Sequence, residues 1–128
     1  GYSGIGATGD GSSTYYLPRV VGLREAKRIA LLNERIGAEE GAEIGLATEA
    51  VPGEEFDDRL AGVAERVADG PTVALGRSMK LMTESTSARL EEQLAAETDS
   101  IARTARTEDF AEGVSAFAAR RDPEFEGR

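Results

Sequence analysis

Apolar residues recur at helical spacing along most of this chain, and no other feature constrains its fold as strongly. Phe56, Leu60, Val63, Ala64 and Val67 are separated by four, three, one and three positions. That spacing places all five on one face of an α-helix, where they can pack against a neighbouring element. Because similar patterns recur in other segments, the sequence predicts a mostly α fold.

Five further segments carry helical spacing or helix-end signals. Helices are predicted over residues 23–33, 38–44, 71–82, 90–105 and 107–122, which gives about six in all. Pro71 suits the first position of its helix, and Leu75, Met79 and Met82 are expected to form the buried stripe of that helix. Thr107 can cap the last helix, because a threonine hydroxyl accepts a bond from a free backbone N–H.

One segment departs from the helical pattern. Residues 46–51 alternate weakly between apolar and polar side chains and stop at Pro52 and Gly53, which predicts a short β-strand. A single strand of this length needs a partner strand, and the sequence does not clearly supply one. We therefore expect a mostly α fragment of a larger α/β fold, with one or two short strands of its own.

Composition excludes several classes of function. The 128 residues contain no cysteine and no histidine, so disulfides, zinc–sulfur sites and serine–histidine–aspartate chemistry are excluded within the chain. The net charge of −9 opposes binding to nucleic acid or to an anionic membrane surface. No apolar run is long enough to span a membrane and no signal peptide is visible, so the protein is predicted to be cytoplasmic.

The basic residues are almost all arginine, since only Lys27 and Lys80 are lysines. An acidic, lysine-poor chain is typical of a halophilic protein, because a salt-rich cytoplasm screens the repulsion between like charges. A GC-rich genome, which favours codons for arginine, alanine and glycine, explains the same composition. The sequence leaves both explanations open.

Asp10 is the strongest candidate for chemistry. It lies between Gly9 and Gly11 in a segment, residues 1–14, that is rich in glycine, serine and threonine and has no other charged side chain. The carboxylate can cap the following helix by accepting backbone N–H groups. Alternatively, it can act as a general acid/base or a nucleophile in a glycine-lined pocket. Residue type alone favours the cap.

Three other patterns are weaker. Residues 4–9 read G-x-G-x-x-G, but no strand precedes them and no acidic residue follows about 20 positions later, so a dinucleotide loop is not predicted. The acidic clusters lack a loop with alternating oxygen ligands, so no metal site is predicted. Arg120 and Arg121 complement the dipole of the last predicted helix, or alternatively hold a phosphate.

Three segments, in order, resemble the crotonase superfamily of enoyl-CoA hydratases and isomerases. Residues 5–22 (IGATGDGSSTYYLPRVVG) resemble the loop and helix that line the acyl pocket of these enzymes. Residues 38–52 (AEEGAEIGLATEAVP) are similar to the family stretch S-A-x-E-A-x-x-x-G-L-V-x-x-V-V-P. Residues 108–125 (EDFAEGVSAFAARRDPEF) are similar to its closing E-D-x-x-E-G-x-x-A-F-x-x-K-R-x-P-x-F. Together the three segments extend over nearly the whole chain.

The resemblance implies the C-terminal portion of a longer α/β enzyme that acts on acyl-CoA thioesters through a stabilised enolate. It implies that residues 1–52 are the end of the crotonase core and that residues 53–128 are a helical trimerisation region. The longer protein is then a homotrimer or a dimer of trimers. The oxyanion-hole amides belong to the family's N-terminal half, so this fragment alone is expected to be inactive. Coenzyme A enters as part of the substrate, and no covalently bound cofactor is implied.

The resemblance also implies roles for single residues. Asp10 falls where dienoyl-CoA isomerases place an acid/base aspartate and where a dehalogenase-type relative has its nucleophile, which favours catalysis over capping. Tyr2 falls where hydratases place their second catalytic glutamate, so it is expected to contact substrate, and plain hydration is disfavoured. Ile101 is similar to an apolar position beside the adenine, and Arg120 to a basic residue near the CoA nucleotide.

A second hypothesis requires no catalysis. The residues Leu90, Leu94, Ile101 and Ala105 follow near-heptad spacing, which suits the self-association of a stand-alone helical module. The sequence does not separate hydration, isomerisation and dehalogenation, and it does not identify the acyl chain.

Overall fold

The computed structural model describes residues 1–128, and its regular structure is entirely helical. The α-helices are α1 Ser13–Val20, α2 Leu23–Leu32, α3 Ala38–Glu43, α4 Phe56–Ala68, α5 Thr72–Ser85, α6 Leu90–Thr104 and α7 Glu108–Ala119. Two 3₁₀ helices span Tyr2–Ile5 and Gly53–Glu55. The six predicted helices are confirmed, and α1 is an additional one. None of the helices combines the length and the apolar character required to cross a bilayer.

The chain divides into two compact units, Gly1–Phe56 and Asp57–Arg128. In the first unit, α1 packs on α2, and the 3₁₀ helix Tyr2–Ile5 also packs on α2. In the second unit, α5 and α6 pack together as a helix pair. The assignment of residues 1–52 to the end of a catalytic core and of residues 53–128 to trimerisation stays a prediction.

The prediction of a strand over residues 46–51 is wrong, because this segment forms bends and irregular chain without strand pairing. Gly45 ends α3 in the left-handed region, with a φ of 77°. The chain then turns back, so that the N–H groups of Leu46 and Ala47 both donate to the carbonyl of Gly41, over 2.8 and 2.9 Å. A strand requires a neighbouring strand to satisfy its N–H groups, and the end of α3 satisfies these two instead.

Helix ends follow local capping chemistry, and several of them differ by one to three residues from the predicted bounds. The Thr107 hydroxyl accepts a bond of 3.1 Å from the Phe110 N–H, which confirms the predicted cap of α7. Pro71 lies just before α5 rather than at its first position. The helix also continues to Ser85, beyond its predicted end at residue 82. There the Ser85 hydroxyl donates to the Met82 carbonyl over 2.7 Å, so a polar side chain stays within the helix by bonding back to it.

The pairing of α5 with α6 includes a partly buried polar contact. Arg77 on α5 donates from Nε to the Ser100 hydroxyl over 2.9 Å and from Nη2 to Asp99 over 3.3 Å. Ser100 and Thr104 lie buried on α6. The Thr104 hydroxyl is satisfied by the Ser100 carbonyl at 3.2 Å. The face of α6 that packs within its unit is therefore partly polar.

Most large apolar side chains are exposed, and Ala26 and Ala116 are the only buried hydrophobic residues. The prediction of a buried stripe on α5 is wrong, since Met79 and Met82 are each 66% exposed. Phe117 on α7 is 88% exposed. Helical faces that are apolar by their spacing are therefore exposed to solvent. They include the near-heptad stripe of α6, where Leu90, Leu94 and Ile101 are exposed.

Candidate active site

An apolar cavity of about 540 Å³ lies in the first unit. Its wall is built from the loop of residues 1–9, from α1 and from α2, and includes Tyr2, Gly9, Leu17, Pro18, Leu23, Ala26, Lys27 and Ile29. The wall is mostly hydrocarbon, and Lys27 is the charged side chain in it. Pro18 lies inside α1, and its ring forms part of this wall. A cavity of this size and lining suits an acyl chain or an aryl group.

Tyr2 and Asp10 meet at the edge of this cavity. The Tyr2 hydroxyl donates a short hydrogen bond to Oδ1 of Asp10. Tyr2 and Gly9 belong to the cavity wall, and Asp10 follows Gly9 as an exposed residue. The hydrogen bond to Asp10 and its negative charge raise the pKa of Tyr2 above its ordinary value of 10.0, because both disfavour the phenolate. The phenol therefore stays a hydrogen-bond donor at neutral pH.

The backbone around Asp10 includes several residues in the left-handed region. Gly6 and Gly11 have φ values of 72° and 56°, and Ser12, although not a glycine, has a φ of 65°. Left-handed backbone is costly for residues other than glycine. A Cβ atom on Gly9 would lie 2.7 Å from the Ser13 hydroxyl, so that side chain would have to move. Gly9 and Gly11 thus favour the loop that presents the Asp10 carboxylate.

The carboxylate of Asp10 does not cap α1. The first N–H groups of this helix bond to main-chain carbonyls: Ser13 donates to the carbonyl of Asp10, and Tyr15 and Tyr16 donate to that of Ser12, each over 3.0 Å. Ser12 is the cap residue, and its side chain makes no capping bond. Residue type favours a capping role for the Asp10 carboxylate. In the structure this carboxylate accepts the hydrogen bond from Tyr2 instead.

Ile101 and Arg120, the two residues expected near the CoA nucleotide, lie in the second unit. Ile101 is part of the wall of a separate apolar cavity of about 380 Å³, together with Phe110, Phe117 and Phe125. Arg120 follows α7 in the left-handed conformation, with a φ of 54°, and is exposed. Arg120 is not part of that cavity wall.

Arg121, the second residue of the basic pair, is engaged within the chain. Its Nη1 and Nη2 atoms donate to Oε1 and Oε2 of Glu112 over 2.5 and 2.7 Å. The N–H of Glu124 donates to the same carboxylate over 2.9 Å. No helical spacing predicts this pair, because the chain reverses at Arg120 between its two members. Of the two arginines, Arg120 thus remains the candidate for a phosphate.

A second cluster that the sequence does not predict surrounds Arg28. Its guanidinium contacts Glu25, Glu34 and Glu40, each over 2.5 Å. These carboxylates raise the pKa of Arg28, so its charge is permanent. The spacing from Glu25 to Arg28 is a recognisable helical pair, but the other two contacts depend on how the loop after α2 returns to α3.

We predict that acid releases the segment that follows α7. Arg121 and the Glu124 N–H lower the pKa of Glu112 from 4.5 to about 2. Since the folded pKa is depressed, this contribution to stability is complete above pH 4.5 and is lost as the pH falls through about 2. The protection factor of the Glu124 amide, which compares its exchange rate with that of an unstructured peptide at the same pH, should fall over that range. In Glu112→Gln the amide should already exchange fast at pH 6, and equal protection in the two proteins would contradict the prediction.

Comparison with known proteins identifies the family of the chain. The sequence model of the family described as enoyl-CoA hydratase/isomerase matches residues 2–128. The chain belongs to this family. A probable enoyl-CoA hydratase of Rhodobacter capsulatus is 39% identical over 127 residues, and the match covers 99% of this chain and 49% of the relative. The 1,2-epoxyphenylacetyl-CoA isomerase of Escherichia coli is 35% identical, with 99% of this chain and 48% of the relative covered.

Solved structures of the enoyl-CoA hydratase/isomerase family share the fold. An enoyl-CoA hydratase/isomerase from Mycobacterium paratuberculosis matches with a TM-score of 0.85 and 29% identity, over 98% of this chain and 50% of the other. The family resemblance of the three sequence segments is thereby confirmed, and the chain spans about half the length of the relatives it matches. The comparisons do not bear out the expected C-terminal placement of the chain within those relatives.

Proposed function

We propose that the chain forms part of a longer enzyme that rearranges acyl-CoA thioesters, with Asp10 as its general acid/base. The observation that carries the proposal is the hydrogen bond from the Tyr2 hydroxyl to the Asp10 carboxylate at the edge of the apolar cavity. A carboxylate beside an apolar wall can accept a proton from an acyl carbon and return it. The hydrocarbon lining of the cavity supports an acyl group as the part of the substrate held there.

In the proposed reaction, Asp10 removes a proton from the acyl chain, and the electron pair moves onto the thioester oxygen to form an enolate. Asp10 then returns the proton to a different carbon, so the double bond moves and no atom is gained or lost. The enolate requires hydrogen-bond donors aimed at the developing oxyanion. We place those donors in the remainder of the polypeptide.

Isomerisation is favoured over hydration by the identity of residue 2. Family hydratases place a second catalytic glutamate at this position, whereas Tyr2 here is a phenol whose pKa is raised by Asp10. A phenol that stays protonated cannot take the proton of an attacking water at neutral pH. We therefore assign the longer protein an isomerase-type reaction, and assign Tyr2 to the wall that contacts the acyl group.

The CoA portion of the substrate is proposed to bind in the second unit. Ile101 belongs to an apolar wall that suits contact with the adenine, and exposed Arg120 can reach a phosphate. The net charge of −9 makes such a local cation necessary for an anionic ligand. We further propose that the longer protein is a homotrimer or a dimer of trimers located in the cytoplasm. The exposed apolar stripe of α6 is consistent with such assembly.

The first test compares the chain with the longer protein that contains it. The isolated chain should not turn over crotonyl-CoA or positional isomers of longer enoyl-CoA thioesters, because it lacks the oxyanion donors that we place elsewhere. The longer protein should shift the double bond in at least one of these substrates, as measured by chromatography of the products. A longer protein without activity on any acyl-CoA thioester would exclude the proposed function.

A second candidate function, self-association without catalysis, is favoured by one observation. Leu90, Leu94 and Ile101 are 69%, 52% and 58% exposed along α6, and a stripe of this kind suits a helix–helix interface. Sedimentation of the isolated chain separates the candidates. Two results together would favour the self-association module. The isolated chain would form oligomers that dissociate in Leu94→Glu but not in Glu91→Lys, and the longer protein would have no activity.

A further inference from the structure

We propose that Tyr2 is a positioning residue that holds the Asp10 carboxylate in its productive orientation at the cavity edge. The inference rests on the proposed function, because it concerns how the general acid/base of that reaction is oriented. It assigns Tyr2 a role toward Asp10 in addition to its contact with the acyl group.

The geometry shows why Asp10 requires an anchor. Asp10 is exposed, so packing does not restrict its side chain, and a free carboxylate at this position would sample several rotamers. The hydrogen bond from Tyr2 occupies Oδ1, which leaves Oδ2 as the oxygen available to a substrate. The phenol can act as a rigid anchor because the rest of Tyr2 belongs to the cavity wall.

The backbone on both sides of the pair supports the same role. Tyr2 lies in the first 3₁₀ helix, and its carbonyl accepts the Ala7 N–H over 3.0 Å. The left-handed Gly6 lies between Tyr2 and Asp10, and the chain turns back within this segment so that Asp10, eight positions later, meets the tyrosine hydroxyl. The carboxylate makes no contribution to capping α1, whose first N–H groups bond to main-chain carbonyls. Its contact with Tyr2 is therefore available to serve the site.

Few charged groups lie around Tyr2 and Asp10, so the effect of Asp10 on the pKa of Tyr2 can be measured. Lys27 on α2 is the charged side chain in the same cavity wall. The pKa of Tyr2 is nevertheless raised by Asp10, first through the hydrogen bond and then through its charge. Removing the Asp10 charge should therefore lower the pKa of Tyr2 toward its ordinary value, whereas a tyrosine without contact to Asp10 would not respond.

The direct test uses tyrosine labelled with ¹³C at the ring carbon that carries the hydroxyl. Tyr2 should titrate above the ordinary tyrosine value of 10.0 in the longer protein, and Tyr2→Phe identifies its resonance. In Asp10→Asn the titration of Tyr2 should move down toward that ordinary value. A Tyr2 resonance that titrates at the ordinary value in the unmodified protein, or that does not move in Asp10→Asn, would overturn the inference.

The kinetic test compares Tyr2→Phe with Tyr16→Phe, which removes the same hydroxyl from an exposed tyrosine. Tyr2→Phe should lower kcat roughly tenfold, the effect of one hydrogen bond to a charged group, with KM changed by less than about twofold because the ring stays in the wall. Equal kcat in the two variants would also overturn the inference. If Asp10→Asn is inactive while Tyr2→Phe is fully active, the inference fails and the proposed function stands.

Discussion

Replacement of Asp10 by asparagine should lower the turnover of the longer protein at least about tenfold, since general acid–base catalysis commonly contributes 10²–10⁴-fold. Asparagine keeps the shape of the side chain and can still accept a hydrogen bond from Tyr2. It cannot take up a proton. The loss should therefore appear in kcat, measured from the rate of double-bond migration, while KM changes little.

Asp58→Asn is the matched control for this experiment, because Asp58 is an exposed carboxylate on α4 and its substitution makes the same chemical change. It should leave kcat unchanged. If Asp10→Asn and Asp58→Asn have equal rates, Asp10 is not the acid/base, and its hydrogen bond with Tyr2 has only a structural role.

The second large effect is expected at Asp109, whose substitution by asparagine should destabilise the second unit by about 2 kcal/mol. Asp109 is only 4% exposed. Its Oδ1 and Oδ2 atoms accept the N–H groups of Glu126 and Gly127 over 2.7 and 3.0 Å. An asparagine places an NH₂ donor against one of these N–H donors and removes the charge that strengthens both bonds. Urea denaturation measures the change.

Glu108→Gln provides the comparison for Asp109→Asn. Glu108 is adjacent in sequence, but its contact with Arg128 is a surface ion pair at 2.9 Å with both side chains largely exposed. Exposed pairs of this kind contribute little to stability, so the midpoint of unfolding should barely move. Equal destabilisation by the two substitutions would show that the buried bonds to the last residues have no special importance.

Helix positions were predictable from the sequence because they depend on local periodicity and end chemistry. The spacing of Phe56, Leu60 and Val67 predicts α4, and Thr107 caps α7 as its residue type indicates. Burial was not predictable in the same way. The spacing identifies an apolar face, but whether Met79 or Leu94 is covered depends on what packs there, and within this chain both remain exposed.

In the candidate site, too, single residues were predictable from the sequence, but the contacts between them were not. Asp10 was predictable as an isolated carboxylate between two glycines, and the resemblance to the crotonase superfamily supplied its expected role and that of Tyr2. The contact between the two was not predictable, since residues eight positions apart meet only if the intervening loop turns back. The partners of Arg28 and the Glu112–Arg121 pair were missed for the same reason.

By itself the sequence determined the family and the helical content, and it singled out Asp10 as the candidate for acid–base chemistry, because each of these depends on residue type and local spacing. Only the tertiary structure decided that residues 46–51 fold back on α3 instead of forming a strand. It also decided that the Asp10 carboxylate binds Tyr2 rather than the start of α1. Both outcomes depend on which distant hydrogen-bond partner the folded backbone brings within reach.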